Sequence, residues 1–352
     1  MITQNELAER LSISRSSVAV HITNLMKKGV IRGRSYILGE QPYVCVVGGS
    51  NVDIQGFSEQ KLVMADSNPG TVRISFGGVG RNIAENLSRL GVPVRLITAV
   101  GNDNYGKSIL DDAREKGMEP DYSLVSDEFP TSTYLSILES DGDMKLAVSH
   151  MSVLDQIGVG FIENRKQIIA GSGVCVLDTN LPEETLRYLT GEIPGSEFYL
   201  DPVSTAKAQK ARGILGRFHT IKPNRIEAES LSGIPIRGQD GLRRNGEYFL
   251  KQGVKRVVIS LGREGTYYRD GENEFWVEAG KCRVVNATGA GDAFTAGLVY
   301  GRISGLSAVD TARFSAAASI LALESDRTIS PEMSVNNVMN TMEGIVHVKR
   351  LS

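Results

Sequence analysis

The sequence has few cysteines and no long apolar run. Its three cysteines, Cys45, Cys175 and Cys282, lie far apart and form no Cys-x-x-Cys pair. This number and spacing exclude a disulfide framework and a cysteine-rich zinc cluster. No stretch of eighteen apolar residues occurs, which excludes a transmembrane helix. The first ten residues alternate charged with apolar side chains, unlike a signal peptide. We therefore expect a soluble, cytoplasmic protein with no membrane partner.

The 352 residues do supply enough apolar material for a large core, because 41% of them are hydrophobic. Their charges are unevenly distributed. Residues 1–40 carry six basic and three acidic side chains, a net charge of +3, whereas the whole chain has a net charge of −2. The remainder is therefore acidic. This asymmetry predicts two domains with different partners, a basic head over residues 1–40 and a body over residues 41–340.

The basic head has the pattern of two short helices. Residues 3–11 predict a helix with Thr3 as its N-cap and Glu6 three residues later, the signature of a capping box. A second helical pattern follows over residues 15–28. The basic stretch 32–35, which has apolar residues on both sides, is typical of a β-wing.

This pattern resembles a winged helix-turn-helix, whose second helix enters the major groove of DNA. The side chains expected at the groove are Arg15, Ser16, Ser17 and His21. A winged helix usually has a further helix before these two, so we expect the segment to be incomplete. The alternative to DNA contact is a helical hairpin that mediates dimerisation or packs on the body.

From residue 43 onward, near-continuous apolar runs alternate with helical patterns. The runs cover residues 43–47, 96–100, 174–177, 198–200 and 257–259. Such runs predict a parallel sheet that helices cover on both faces. Polar or glycine-rich residues follow these strands, and open α/β sheets bind ligands beyond the carboxyl ends of their strands. We therefore expect the functional site at that edge.

Two further segments, about 54–75 and 131–149, have a different pattern. Residues 71–75 and 134–138 alternate or carry β-branched side chains, which is typical of strands. Asp141-Gly142 is a hairpin turn signal before another short apolar run. These segments predict a small second sheet that covers the site as a lid.

The first motif runs from Phe76 to Gly91 and reads FGGVGRNIAENLSRLG. Its glycines allow the backbone to approach a ligand closely. A helix follows, with Ile83, Leu87 and Leu90 on one face. The alternative is a purely structural turn.

The second motif is Asn224-Arg-Ile-Glu227, which follows an apolar segment. An Asn and a Glu one helical turn apart can project together toward a metal-bound phosphate. A carboxylate acting through water is the usual protein ligand of Mg²⁺. A four-residue pattern also occurs without any function, and that alternative stays open here.

The third motif covers residues 286–297 and reads NATGAGDAFTAG. Gly289, Ala290 and Gly291 at a helix N-terminus offer unpaired amides and the positive end of the helix dipole, which together make an anion site. Asp292 lies in the first turn, where its carboxylate can receive a proton from an attacking hydroxyl. The alternative is an acidic residue that only stabilises the helix dipole.

Taken in this order, the three motifs resemble those of the ribokinase-like (pfkB) family of carbohydrate and nucleoside kinases, over roughly residues 42–335. The resemblance implies an α/β fold of three layers, with a mostly parallel sheet and a small β lid. It implies transfer of the γ-phosphoryl group of ATP to an alcohol, with ATP, Mg²⁺ and K⁺ as cofactors. Lid strands of this family often pair between subunits, so a homodimer is expected.

The resemblance also implies roles for individual residues. Asp292 is the general base, and the amides of residues 289–292 form the anion hole for the γ-phosphoryl group. Glu227, with Asn224, organises Mg²⁺ through water. The acceptor-binding residues are Asn51, Asp53, Gly77, Gly78, Asn82, Thr133 and Ser149. The nucleotide-binding residues are Asn180, Lys222, Asn224, Ser260, Gly262 and Gly265. Backbone carbonyls near Asn286 and Thr288 form the monovalent-cation site.

Two positions depart from the usual family pattern. Asn286 stands where the third signature usually has Asp, which leaves potassium dependence open. Val79 stands where ribokinases commonly have Lys, and an apolar side chain there favours a nucleobase over a bare sugar. Together with the head, this combination resembles the bacterial pseudouridine kinases. The expected reaction is therefore phosphorylation of pseudouridine at its 5′-hydroxyl.

Two alternatives remain. The acceptor can be another nucleoside or a free pentose, because a single sequence does not determine the base. The chain can also be a transcription regulator whose kinase-like body senses a ligand. The presence of Asp292 and Glu227 counts against a sensor, which needs no catalytic base.

Overall fold

The computed structural model describes residues 3–28, 30, 42–141, 143–278, 280, 282–345 and 347–350. Contacts divide the chain into two units, Met1–Tyr43 and Val44–Ser352. The predicted β-wing at residues 32–35 lies outside the described residues, so it stays a prediction.

The first unit contains the two predicted helices, α1 (Gln4–Leu11) and α2 (Arg15–Lys27). The predicted capping box is confirmed: the Glu6 amide donates to Thr3 Oγ1 at 3.2 Å, and the Thr3 amide donates to Glu6 Oε2 at 2.6 Å. Val18 and Ile22 on α2 are buried against Leu7, Ala8 and Leu25. This small apolar cluster holds the two helices together.

The second unit is an α/β domain with three sheets. Its strands are β1 (Val44–Val47), β2 (Asn51–Ser58), β3 (Gly70–Gly77), β4 (Val94–Ile97), β5 (Ala99–Gly101), β6 (Met118–Glu119), β7 (Leu124–Ser126), β8 (Thr133–Leu138), β9 (Met144–His150), β10 (Val174–Asp178), β11 (Glu197–Asp201), β12 (Thr220–Ile221), β13 (Arg256–Ser260), β14 (Thr266–Asp270), β15 (Glu274–Val277) and β16 (Val348–Arg350).

Ten of these strands form the central sheet, in the order β16-β15-β14-β13-β12-β11-β10-β1-β4-β6. Seven neighbouring strands of this sheet are parallel: β6, β4, β1, β10, β11, β12 and β13. Strands β14, β15 and β16 extend the sheet beyond β13 in antiparallel pairs. The predicted mostly parallel sheet is confirmed. The antiparallel edge is an addition that the apolar pattern did not reveal.

One predicted strand is in fact two. The run 96–100 divides at Thr98 into the end of β4 and the short strand β5, which pairs with β7 in a separate sheet. The division arises because Thr98 bonds to a distant segment, its amide donating to Ser123 Oγ and its carbonyl accepting from the Leu124 amide. Those long-range bonds redirect the chain.

Helices cover both faces of the central sheet, as predicted. They are α3 (Val79–Arg89), α4 (Asn104–Glu115), α5 (Val159–Glu163), α6 (Lys166–Ala170), α7 (Glu183–Glu192), α8 (Thr205–Ala208), α9 (Arg225–Ser232), α10 (Gly238–Lys251), α11 (Ala290–Ile303), α12 (Ala308–Leu323) and α13 (Val335–Ile345). Side chains alternate between two cores along β1: Val44 and Val46 pack with α3, α11 and α12, whereas Cys45 and Val47 pack with α7 and α10. This is why the strands are apolar without alternation.

The lid is a separate four-stranded sheet in the order β3-β2-β8-β9. Strand β2 pairs antiparallel with β3 and parallel with β8, and β8 pairs antiparallel with β9. Both predicted lid segments therefore contribute strands to it. Its strand β2 begins at Asn51, with three residues between it and the end of β1, so that the first residues of β2 lie at the carboxyl edge of the central sheet.

Candidate active site

The carboxyl ends of β1 and β10 are joined by Asp178. Its Oδ2 accepts hydrogen bonds of 2.8 Å from the amides of Gly49 and Gly80, and its Oδ1 accepts one from the Asn180 amide at 2.8 Å. Asp178 therefore holds the loop after β1 against the start of α3. The two segments that the sequence predicted to bind the acceptor are brought together by a residue that had no assigned role.

The glycines of the first motif allow this loop to approach closely. Gly78 has a φ of +100°, and a β-carbon there would lie 2.4 Å from the Gly49 carbonyl oxygen. A β-carbon on Gly80 would lie 2.8 Å from the Gly48 backbone. Side chains at either position would push the two segments apart. The sequence predicted that these glycines let the backbone approach a ligand. In the structure, they instead allow close contact with another segment of the protein's own backbone.

Asn51 and Asp53 lie on one face of the lid. Asn51 Nδ2 donates to Asp53 Oδ1 at 2.6 Å, and a β-carbon on Gly77 would lie 2.1 Å from Asp53 Oδ2. Burial raises the pKa of Asp53, although the bond from Asn51 and the charge of Arg81 oppose this. The pair presents a carboxylate and an amide that can bind hydroxyl groups.

The two lid hydroxyls predicted to contact the acceptor lie on opposite faces. Tyr134 is in register with both Asp53 and Ser149, so Ser149 shares the face of Asp53. Thr133 is in register with Val52 and therefore lies on the other face. The structure brings Ser149 to the Asp53 face and does not bring Thr133 there.

The third motif begins helix α11. Gly289 has a φ of +85°, and a β-carbon there would lie 2.0 Å from the Thr328 carbonyl oxygen. This left-handed residue turns the chain so that the amides of residues 289–291 begin the helix, where no side chain caps them. The anion site that the sequence predicted has the geometry of an uncapped helix N-terminus.

Asp292 is buried in the first turn of α11 and accepts a 2.8 Å hydrogen bond from Asn82 Nδ2. Burial and the nearby Asp201 carboxylate raise the pKa of Asp292 to about 8, while Asn82 and Lys222 oppose the rise. No cation forms an ion pair with Asp292 among the described residues. A carboxyl group with a pKa in this range is suited to accept a proton near neutral pH.

Asn224 and Glu227 form a reciprocal capping box at the start of α9. The Glu227 amide donates to Asn224 Oδ1, and the Asn224 amide donates to Glu227 Oε2, both at 2.9 Å. Burial raises the pKa of Glu227. The motif therefore has a structural function, and one oxygen of the Glu227 carboxylate is outside the capping box and can face a metal-bound water.

The other predicted nucleotide-binding residues divide into two groups. Ser260 forms an isolated bridge with Asn224, and Gly262 and Gly265 follow with φ of +59° and +98°. Ser260 is the last residue of β13, and the two glycines follow that strand in the chain. Asn180 is held elsewhere, because its Oδ1 accepts from Lys207 Nζ at 2.6 Å and a β-carbon on Gly49 would lie 2.7 Å from its Nδ2. The structure thus brings Asn180 to the loop that precedes Asn51.

Lys222 is buried beside Asp201, with Nζ 3.1 Å from Asp201 Oδ2. Asp201 Oδ2 also accepts from Thr295 Oγ1 at 2.9 Å. Sequence reasoning gave no role to Asp178, Asp201 or Thr295. The sequence did contain a signal for Asp178 and Asp201, because each directly follows a predicted apolar strand.

The residues predicted to form the monovalent-cation site lie in a tight turn. Asn286 Oδ1 accepts from the Thr288 amide at 2.9 Å, and the Asn286 amide bonds to the Leu323 carbonyl at 3.2 Å. The side chain of Asn286 therefore shapes the turn. Among the described residues, no three His, Cys, Asp or Glu side chains form a cluster that could hold a metal ion.

Comparisons with known proteins find a match for a part of each unit. The profile of the pfkB family carbohydrate kinases matches residues 41–334, and a winged helix-turn-helix DNA-binding profile matches residues 2–32. The pseudouridine kinase of Escherichia coli K12 is 38% identical over 305 residues, which cover 86% of this chain and 97% of that protein. An uncharacterized sugar kinase of the same organism is 37% identical over 97% of this chain and 94% of its own length.

The fold is also that of a solved kinase. Arabidopsis thaliana ribokinase, complexed with ribose and ATP, superposes with a TM-score of 0.76 at 23% identity, covering 86% of this chain and 99% of that one. In the part of the chain that the structure describes, no helix has the length and apolarity needed to cross a membrane. The protein belongs to the pfkB family of carbohydrate kinases and is a phosphotransferase with an alcohol group as acceptor.

Proposed function

We propose that this enzyme transfers the γ-phosphoryl group of ATP to the 5′-hydroxyl of pseudouridine. The acceptor is supported by the 38% identity to the Escherichia coli pseudouridine kinase over nearly all of that protein. The single observation that carries the chemistry is the 2.8 Å hydrogen bond from Asn82 to Asp292. It joins the acceptor motif to the motif that holds the base.

In the proposed reaction, Asp292 accepts the proton of the 5′-hydroxyl while the oxygen of that hydroxyl attacks the γ-phosphorus. A bond forms between that oxygen and phosphorus, and the bond from phosphorus to the bridging oxygen of ADP breaks. The uncapped amides of residues 289–291 stabilise the charge on the transferring group. Because Asp292 is buried, these electrostatic interactions are stronger than they would be in water.

The acceptor is held by the lid face that carries Asp53. Asn51 and Asp53 offer an amide and a carboxylate to the ribose hydroxyls, and Gly77 lies against Asp53. Gly78 and Asn82 stay predicted contacts of the acceptor. Ser149 remains a candidate contact to the base, since it shares this face. Thr133 is left out of the proposal because it lies on the opposite face.

The nucleotide is bordered by Lys222 and by the segment from Ser260 to Gly265. When bound, Mg²⁺ neutralises charge on the phosphates of ATP. Glu227 fits such an ion, because it offers one carboxylate oxygen outside the capping box and Mg²⁺ keeps most of its waters. A monovalent cation such as K⁺ would use backbone carbonyls near Asn286 and Thr288, which Asn supplies as well as Asp does.

The acceptor is tested with a panel of pseudouridine, uridine, inosine, adenosine and ribose, each with ATP and Mg²⁺. Mass spectrometry measures the phosphorylated product, and phosphorus NMR locates the phosphate. We expect pseudouridine to have the highest kcat/KM, by at least about tenfold, because a site that hydrogen-bonds a group rejects analogues that lack it. Equal turnover of uridine or ribose contradicts the acceptor assignment.

A second proposed function is DNA binding by the N-terminal unit. It is supported by the profile match and by the exposure of Arg15, Ser16 and His21 on α2, while Val18 and Ile22 face inward. Fluorescence anisotropy with duplex DNA tests it. We expect affinity to fall steeply with salt and on changing Arg15 and Lys27 to Ala. Affinity that responds to neither contradicts DNA binding.

A further inference from the structure

Asp201 connects two elements on which phosphoryl transfer depends. One of its carboxylate oxygens, Oδ2, accepts from Lys222 Nζ at 3.1 Å and from Thr295 Oγ1 at 2.9 Å. The other, Oδ1, accepts from the Val203 amide at 3.1 Å. Both oxygens are therefore engaged, and the carboxylate has one fixed orientation at the end of β11.

The Lys222 ammonium that Asp201 holds lies against the anion site of α11. A β-carbon on Gly291 would lie only 3.1 Å from Lys222 Nζ. The ammonium therefore occupies the space next to the uncapped amides, where a β-carbon at position 291 would be in tight contact with it. A cation and free amides converging on one point are suited to bind a phosphoryl group.

Asp201 also holds the helix itself. Thr295 lies one turn after Gly291, and its hydroxyl donates a bifurcated hydrogen bond to Asp201 Oδ2 at 2.9 Å and to the Gly291 carbonyl at 3.2 Å. Through Thr295, the first turn of α11 is tied to the end of β11. One carboxylate thus sets the position of the amides and of the ammonium that lies against them.

Asp201 and Lys222 are both buried, and each compensates the charge of the other. Asp201 is 4% exposed and Lys222 is 6% exposed. Lys222 and Asp201 therefore form a buried ion pair, with Nζ 3.1 Å from Oδ2. Loss of one partner from such a pair leaves an uncompensated charge, which changes the position or the protonation of the other.

We propose that Asp201 is a positioning residue for phosphoryl transfer: it aims the Lys222 ammonium at the amides of α11 and, through Thr295, fixes the first turn of that helix. The inference rests on the proposed role of Asp292 as the base. It does not depend on which alcohol is the acceptor.

The first test is kinetic and uses the full chain with the best acceptor. We expect Asp201→Asn, which keeps the shape of the side chain but removes the charge, to lower kcat about 10- to 100-fold with the acceptor KM within about threefold of wild type. Lys222→Met is expected to lower kcat about 100-fold or more. Because Asp201 acts through Lys222, the double variant should lose much less than the product of the two effects.

The pH profile gives a readout that a purely structural role would not change. The groups that face Asp292 are Asp201 and Asp178, which raise its pKa, and Lys222 and Asn82, which lower it. Asp201→Asn should therefore move the acidic limb of kcat/KM to lower pH, and Lys222→Met should move it to higher pH. A wild-type pH profile and wild-type kcat for Asp201→Asn would overturn the proposal, as would fully additive effects in the double variant.

Three further variants control for folding. Thr295→Val, which removes one bond to Asp201, is expected to lower kcat several-fold, and Thr295→Ser should restore it. Asp270→Asn removes another carboxylate acceptor, one that bonds Tyr268 and the Glu272 and Asn273 amides, and should leave kcat unchanged. If Asp201→Asn does not fold, Thr295→Val with wild-type kcat and pH profile overturns the proposal.

The outcome also separates this inference from the proposed function. If Asp292→Asn retains wild-type turnover, the proposed base is wrong and this inference fails with it. If Asp292→Asn is inactive while Asp201→Asn and Thr295→Val behave as wild type, only the role of Asp201 is overturned.

Discussion

Asn82 Nδ2 lies 2.8 Å from Asp292 Oδ2, although the two residues are 210 positions apart in the chain. Asn82 is in the first motif and Asp292 in the third, so this bond joins the helix of the acceptor loop to the helix of the anion site. Contact between two buried helices, α3 and α11, makes the bond possible. The geometry accounts for why both motifs occur in one chain.

Removing the hydrogen bond between Asn82 and Asp292 should change the pKa of the proposed base. We expect Asn82→Leu to raise the pKa of Asp292 further, because the bond lowers it, and so to move the acidic limb of kcat/KM to higher pH. Turnover at neutral pH should fall about tenfold or more. A pH-rate profile measures both effects. An unchanged profile would show that Asn82 does not act on the base.

The wild-type profile itself is a second prediction. Asp292 must be ionised to accept a proton, and its pKa is raised to about 8. Activity should therefore be lost as the pH falls through a midpoint far above the ordinary aspartate range, which is near 3.9. The dependence of kcat/KM on pH checks this in the free enzyme. An acidic limb near pH 4 would contradict the raised pKa.

The close approach at Gly78 predicts a loss of stability. Gly78→Ala puts a β-carbon 2.4 Å from the Gly49 carbonyl oxygen at a φ of +100°, so the free energy of unfolding should fall by about 1–3 kcal/mol or more. The matched control is Gly160→Ala in α5, where nothing lies within 4 Å and stability should rise by about 0.5–1 kcal/mol. Urea denaturation measures both, and equal stability of the two variants argues against the packing described.

The capping box at α9 allows its structural and chemical roles to be separated. Glu227→Gln retains an acceptor for the Asn224 amide, so stability should change little, but the half-saturating Mg²⁺ concentration should rise about 10- to 100-fold. Asn224→Ala should instead cost about 1 kcal/mol of stability. Mg²⁺ titration of activity and thermal melting distinguish the two. Unaltered Mg²⁺ dependence in Glu227→Gln removes that residue from the proposed metal site.

The outer face of the lid bears on the predicted homodimer. Val72 and Ile74 on β3 and Leu146 and Val148 on β9 are more than half exposed on the face opposite Asp53. We propose that a second copy of the chain covers this apolar face. Val72→Lys with Val148→Lys should then give monomers by light scattering, whereas Val125→Lys, at an exposed residue of β7, should not. A monomeric wild-type protein contradicts the dimer.

Local patterns predicted most of the fold. Strands β1, β10, β11 and β13 are apolar because helices cover both sheet faces, and that pattern is legible in the sequence. The division at Thr98 was not, because it depends on bonds to Ser123 and Leu124. The short strands β14 and β15 were missed because charged residues interrupt their apolar pattern, although each pairs with the strand before it. Strand β16 was missed because its pairing with β15 is long-range.

The sequence motifs predicted the main residues of the site but not the residues that hold those motifs in position. Asp292 and Gly289 belong to a helix start that the sequence displays. The inward or outward direction of Thr133 depends on sheet register, which the sequence does not reveal. Asp178 and Asp201 act across strands that are distant in the chain, so their partners become visible only once the sheet order is known.

The most direct measurement is the turnover of Asp292→Asn alongside its binding of the acceptor. This change keeps the size of the side chain and removes the proton acceptor. We expect kcat to fall by about 10²–10⁴-fold, while calorimetry finds the dissociation constant of the nucleoside within a few-fold of wild type. Turnover that survives the substitution would contradict a carboxylate base at position 292 and with it the proposed reaction.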